Sequence, residues 1–155
     1  MDIYYKSISE SGKQMIYYVC KYAPVELFKG FGQECAVLEE MPENFDKSDK
    51  IAHANLCGFG KSVIQAVLEG KVEELVLVNC CDSMRRVYDI IENTGKCRFL
   101  YMLDLPHEDN ECENIKFAQS ILRLKKVYER YSQRKFDREL FIKSFTQPQQ
   151  ERKPY

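Results

Sequence analysis

Apolar residues along this chain fall into short blocks, separated by charged breaks that carry glycine or proline. The run Met15-Ile16-Tyr17-Tyr18-Val19-Cys20 is rich in β-formers and predicts a first strand over 15–20. Pro24 stands where proline suits a first helical turn, so residues 25–31 predict a short helix closed near Gly30 or Gly32. A second strand is expected over 35–38, followed by an acidic, proline-containing, irregular stretch over 39–50. Residues 61–69 place Val63, Ile64, Val67 and Leu68 on one face of a helix that starts near Gly58, with Gly70 as its stop. Leu75-Val76-Leu77-Val78 is continuously apolar, as a strand buried on both faces of a parallel sheet must be. Residues 82–92 predict a helix with Met84, Val87, Tyr88 and Ile91 on one side, and 98–103 a further strand ended by Pro106. The charged stretch 110–145 is helical in two pieces, with Asp137 capping the second.

Strand and helix alternate throughout, the βαβ rhythm of a parallel sheet with helices on its faces. The expected fold class is therefore α/β: a three-layer parallel sheet of about four strands, helices on both faces in the Rossmann or flavodoxin manner, and long C-terminal helices. At 155 residues there is room for one domain, taken here as 1–146, with 147–155, which carries two prolines, as a loose tail. No internal repeat is present.

Composition narrows the function. With 45% apolar and 30% charged residues the chain reads as globular, and a formal charge of −1 gives no electrostatic footprint for nucleic acid. No apolar run approaches the roughly 18 residues of a membrane helix. The polar start, 1–13, lacks a signal-peptide core, which places the protein in the cytoplasm. Seven cysteines are an odd count without an export signal, which argues against a disulfide framework and leaves packing, reactive thiols or metal ligands.

Position separates those cysteines. Cys81 falls where the 75–79 strand gives way to a helix, and Cys57 just before the first turn of the helix starting near Gly58. Ligands of open parallel sheets collect beyond the strands' carboxyl ends, where helix N-termini converge. A helix N-terminus offers unpaired N–H groups and partial positive charge, which favour a thiolate and an anionic metal–thiolate assembly. Cys57 and Cys81 are the candidate metal ligands, against the plain alternative that both are packing residues. Cys80, adjacent to Cys81 and facing the other way in extended chain, is read as packing. Cys20, at the end of the first strand, is a reserve ligand. Cys35 and Cys97 sit at strand starts, the wrong end of the sheet, and Cys112 is expected to be exposed. No C-x-x-C occurs, so zinc-knuckle, thioredoxin and ferredoxin spacings are absent.

Gly58-Phe59-Gly60-Lys61-Ser62 ends like a P-loop, but the glycine required five residues before Gly60 is Asn55 and the preceding segment is weakly strand-like. No nucleotide is therefore expected, and Gly58 and Gly60 are assigned to close backbone approach of a bulky ligand beside Cys57. His53 and His107 are isolated, and Arg85 and Arg86 read as a solvated face or as partners of an anionic group.

The stretches Asn55-Leu56-Cys57-Gly58-Phe59-Gly60-Lys61-Ser62 and Asn79-Cys80-Cys81-Asp82-Ser83-Met84-Arg85-Arg86 resemble the two cysteine motifs of the 2-hydroxyacyl-CoA dehydratase family. Pro24-Val25-Glu26-Leu27 with Gly30 resembles the family's opening helix, and Leu103-Asp104-Leu105-Pro106 its strand end. The resemblance runs from about residue 17 to 145. It implies a subunit of two similar α/β domains that binds a 4Fe–4S cluster through cysteines of both, with Cys57 and Cys81 as this domain's ligands and Gly58 and Gly60 beside the cofactor. It also implies a partner subunit, an ATP-dependent activator that injects one electron, and loss of water from a 2-hydroxyacyl-CoA substrate through a ketyl radical. The family's second domain is expected to be absent here, so this domain would act only with a partner half. A double-cluster low-potential reductase component and a truncated, cluster-free interaction module are the alternatives.

Overall fold

A computed structural model describes residues 15–39 and 41–146; the tail expected over 147–155 lies outside them. Four strands, β1 (Met15–Tyr18), β2 (Glu34–Val37), β3 (Glu74–Val78) and β4 (Phe99–Leu103), form one all-parallel sheet in the order β2-β1-β3-β4. Five helices connect and follow them: α1 (Val25–Lys29), α2 (Gly58–Leu68), α3 (Asp82–Thr94), α4 (Glu111–Ser132) and α5 (Arg138–Thr146). The expected fold class holds.

Side-chain alternation splits the core into two layers. On one face Tyr17, Leu75 and Leu77 meet Val63, Ile64 and Val67 of α2 and Met84, Val87 and Ile91 of α3. On the other, Ile16, Val76, Val78, Phe99 and Leu103 meet Leu27 and Phe28 of α1 and Leu124 and Tyr128 of α4. β3 feeds both layers and all five of its residues are buried, which explains its uninterrupted apolar run. Each such Val or Leu contributes about 1.5–3 kcal/mol on burial. An aromatic seam fastens α4 to the sheet, with Phe28, Phe31 and Phe99 each set edge-on to Tyr128 at 5.1–5.2 Å. α5 packs on α1, where Gly30 lies directly under the Phe136 ring and its carbonyl accepts from the Asp137 amide at 2.7 Å. Helices α2 and α3 are followed by Gly70 (φ +75°) and Gly95 (φ +62°), left-handed positions that favour glycine.

Strand order sets where a ligand can sit. From β1 the chain runs through α1 on one face to β2; from β3 it runs through α3 on the other face to β4. The connections leave neighbouring strands in opposite directions, so the carboxyl ends of β1 and β3 flank a topological switch point, the usual crevice of doubly wound sheets. β1 stops at Tyr18, because Cys20 turns the chain toward α1 through its carbonyl, which accepts from the Ala23 amide at 3.0 Å. Helix α2 begins at Gly58, where the sequence places its start, with its first turn fixed by capping.

Candidate functional site

Cys57 and Cys81 occupy equivalent places: each is the N-cap of a helix, extended in backbone (φ −60°, ψ 151° and φ −155°, ψ 163°) and exposed to solvent. The Cys57 sulfur accepts the Gly60 amide at 3.3 Å, a first-turn N–H that has no partner within the helix. Cys81 makes no side-chain cap bond. Helices α2 and α3 pack together with their N-termini at the carboxyl edge of the sheet. Gly60 is buried there, and a Cβ on it would meet Val87 Cγ2 of α3 at 3.0 Å and the Cys57 sulfur at 3.5 Å. Its missing side chain leaves room for Val87, midway along α3, so the two helices pack closely there, while Gly58 faces open space beyond Met41 Cε at 3.9 Å.

The long connection before Cys57 is pinned from α2. Buried Gln65 accepts from the amides of Lys47 and Ser48 at 3.0 and 2.9 Å, and Lys61 pairs with Asp49 at 2.8 Å. Ser62 turns back to the Gly58 carbonyl at 2.9 Å and to Met41 Sδ at 3.0 Å. The Gly-Lys-Ser stretch is therefore spent on helix and loop packing, and among the described residues a short 3-10 turn at Ser48–Lys50, not a strand, is the element before it. Cys80 and Cys81 are positioned by Asn79, whose amide Nδ2 donates to Asp104 at 2.8 Å and whose Oδ1 accepts from the Leu105 amide at 2.8 Å. Asn79 ties the end of β3 to the end of β4; its place in the quoted motif was the only sequence signal of that role.

Cys80 corrects the sequence reading. It does not pack; it is exposed to solvent at the end of β3. Partial desolvation of the sulfur, and then the adjacent Cys20 and Cys81 thiols, push it up to about 11. The β-layer had already ended at Val78, so strand burial no longer governs residue 80. At the opposite end of the sheet, burial pushes Cys35 up to about 12 and Cys97 up to about 11, which suits half-buried packing thiols. Cys112 is exposed in the first turn of α4. His53 accepts from the Asn55 amide at 3.1 Å, and the His107 amide donates to Glu113 at 3.3 Å. Arg85 and Arg86 are exposed, with Asp82 at 3.8 Å from Arg86.

Among the described residues no three His, Cys, Asp or Glu side chains are arranged to hold a single metal ion. Cys57 and Cys81 nevertheless have the chemistry of iron–sulfur ligands: soft thiols, exposed, at helix N-termini. Two ligands are fewer than a four-iron cluster requires, so these residues fit a shared site and do not fit a self-contained one.

A doubly wound α/β protein with a thiol-lined carboxyl edge is the class that fold and site define. No curated protein matches the chain, but the family model of the 2-hydroxyglutaryl-CoA dehydratase D-component matches residues 20–155. The chain belongs to that family, and so is a 2-hydroxyacyl-CoA dehydratase-type subunit. Among the described residues no helix is long and apolar enough to cross a membrane.

Proposed function

We propose that this domain holds one side of a 4Fe–4S cluster through Cys57 and Cys81, as part of an assembly that dehydrates a 2-hydroxyacyl-CoA. The observation that carries the reading is the matched placement of the two cysteines as exposed N-caps of two helices that pack on each other. Membership of the dehydratase family supports the substrate class. The cluster, held by Cys57 and Cys81, would supply one-electron chemistry. The chain's own contribution is to present two thiolates in the field of two helix N-termini, and to hold them there through Asn79, Gln65 and the Gly60–Val87 contact. The remaining ligands come from a second dehydratase domain or subunit, and an ATP-dependent activator delivers the electron.

Anaerobic reconstitution with iron and sulfide, alone and with a candidate partner half, tests this. Iron and acid-labile sulfide should co-purify with the chain, and Cys57→Ala and Cys81→Ala should each lose most of both while keeping the wild-type circular dichroism. Wild-type protein that stays iron-free beside every partner half, or alanine variants that keep full iron, would defeat the reading.

A further inference from the structure

The connection from β2 to α2 carries a methionine that the cluster reading does not use. Met41 is 62% exposed, whereas Met84 is buried and Met15 and Met102 are half-buried. Methionine ordinarily fills gaps in an apolar core, and Met41 stands mostly in water instead. What holds it is a polar contact: its sulfur accepts the Ser62 hydroxyl at 3.0 Å. Ser62 is itself buried in α2, and the same hydroxyl reaches the Gly58 carbonyl at 2.9 Å. One proton serves both acceptors, and the thioether is the weaker of the two. Met41 is thus a water-facing latch on the first turn of α2. Gln65 holds the same connection further along, at the Lys47 and Ser48 amides.

We propose that Met41 is an oxidation site, a methionine that a hydroperoxide converts to the sulfoxide, and that its oxidation releases residues 41–46 from α2. A sulfur lone pair attacks one peroxide oxygen; the S–O bond forms as the O–O bond breaks, and the departing hydroxide takes the remaining peroxide proton to become water. The sulfur gives up two electrons and one peroxide is reduced. The present contact does not survive the change. An O–H···O bond alone spans about 2.5–3.0 Å, so the 3.0 Å between sulfur and hydroxyl has no room for an inserted oxygen. With the new oxygen turned to water, the sulfur has spent a lone pair and is a poor acceptor. Either way Ser62 keeps its bond to the Gly58 carbonyl, so the helix turn stays while the latch opens. The Gln65 contacts are untouched, which confines the release to 41–46.

The test uses the full chain, reduced, treated with graded hydrogen peroxide, returned to dithiothreitol and mapped by tandem mass spectrometry. Met41 should gain one oxygen well before Met15 and Met102, and Met84 should be last. Cleavage by Glu-C protease after exposed Glu43 should then run several-fold faster than in untreated protein, with unchanged circular dichroism. The two methionine sulfoxide reductases should restore the slow rate. In Met41→Leu, which keeps the bulk and removes the sulfur, peroxide should leave cleavage at that bond unchanged. Oxygen gained first at Met15 or Met102, or a cleavage rate that ignores Met41 oxidation, would overturn the proposal. The wild-type map and its cleavage rate decide by themselves, so a variant that fails to fold does not leave the question open. Because no iron is involved, the outcome is independent of whether a cluster binds.

Discussion

Glu74 and Gly60 show how single residues are constrained here. Glu74 is buried at the start of β3; its Oε1 accepts the Tyr131 hydroxyl at 2.8 Å, while Oε2 has no hydrogen-bond partner among the described residues. Burial raises its carboxyl above the usual range, more than the Tyr131 bond lowers it. The folded state then holds this proton at a pH where the unfolded chain has lost it. The stabilising contribution is complete below the ordinary glutamate pKa of about 4.3 and fades as pH rises through the raised value. In Glu74→Gln the fall in urea midpoint between mildly acidic and neutral pH should flatten; an unchanged slope would refute the assignment. Gly60→Ala drives a methyl into Val87 and should cost about 1–3 kcal/mol in urea unfolding. Val87→Ala in the same chain should recover part of that loss, despite being destabilising alone. Cys57 and Cys81 were legible in the sequence because an N-cap is a local property. Cys80 was misread because β3 ends at Val78, a boundary that an apolar run cannot locate to the residue.

Element by element, boundaries follow capping more than hydrophobic pattern. Asn110 accepts the Glu113 amide at 2.9 Å to open α4, and Asp137 accepts from Glu139 and Leu140 at 2.7 and 3.1 Å to open α5, the cap expected from the sequence. Asp137→Ala should cost about 1 kcal/mol, read as a lowered urea midpoint. The connection from β2 to α2 looked structureless because its organiser, Gln65, lies inside the following helix and reads as one more polar residue. Gln65→Ala leaves the Lys47 and Ser48 amides without their acceptor. Limited trypsin digestion should then cut at Lys47 or Lys50 several-fold faster than in wild type, while unchanged cleavage would show that the loop is held by other contacts.

For the molecule as a whole, one sheet serves two apolar layers, so neither can melt alone. Ile16 and Leu75 are fully buried on opposite faces. Ile16→Ala and Leu75→Ala should each lower stability by about 2–5 kcal/mol, and both should keep a single transition by far-ultraviolet and tyrosine signals. Separate transitions in either variant would mean that the layers unfold independently. The α/β class, the parallel sheet and the helix-capping places of Cys57 and Cys81 were determined by sequence alone, because periodicity and capping act over a few residues. Strand order, the switch point between β1 and β3, the filling of Gly60 by Val87 and the exposure of Cys80 were decided only in the tertiary structure. Each depends on which distant segments share a face, and that is fixed by how two layers of side chains close on one sheet.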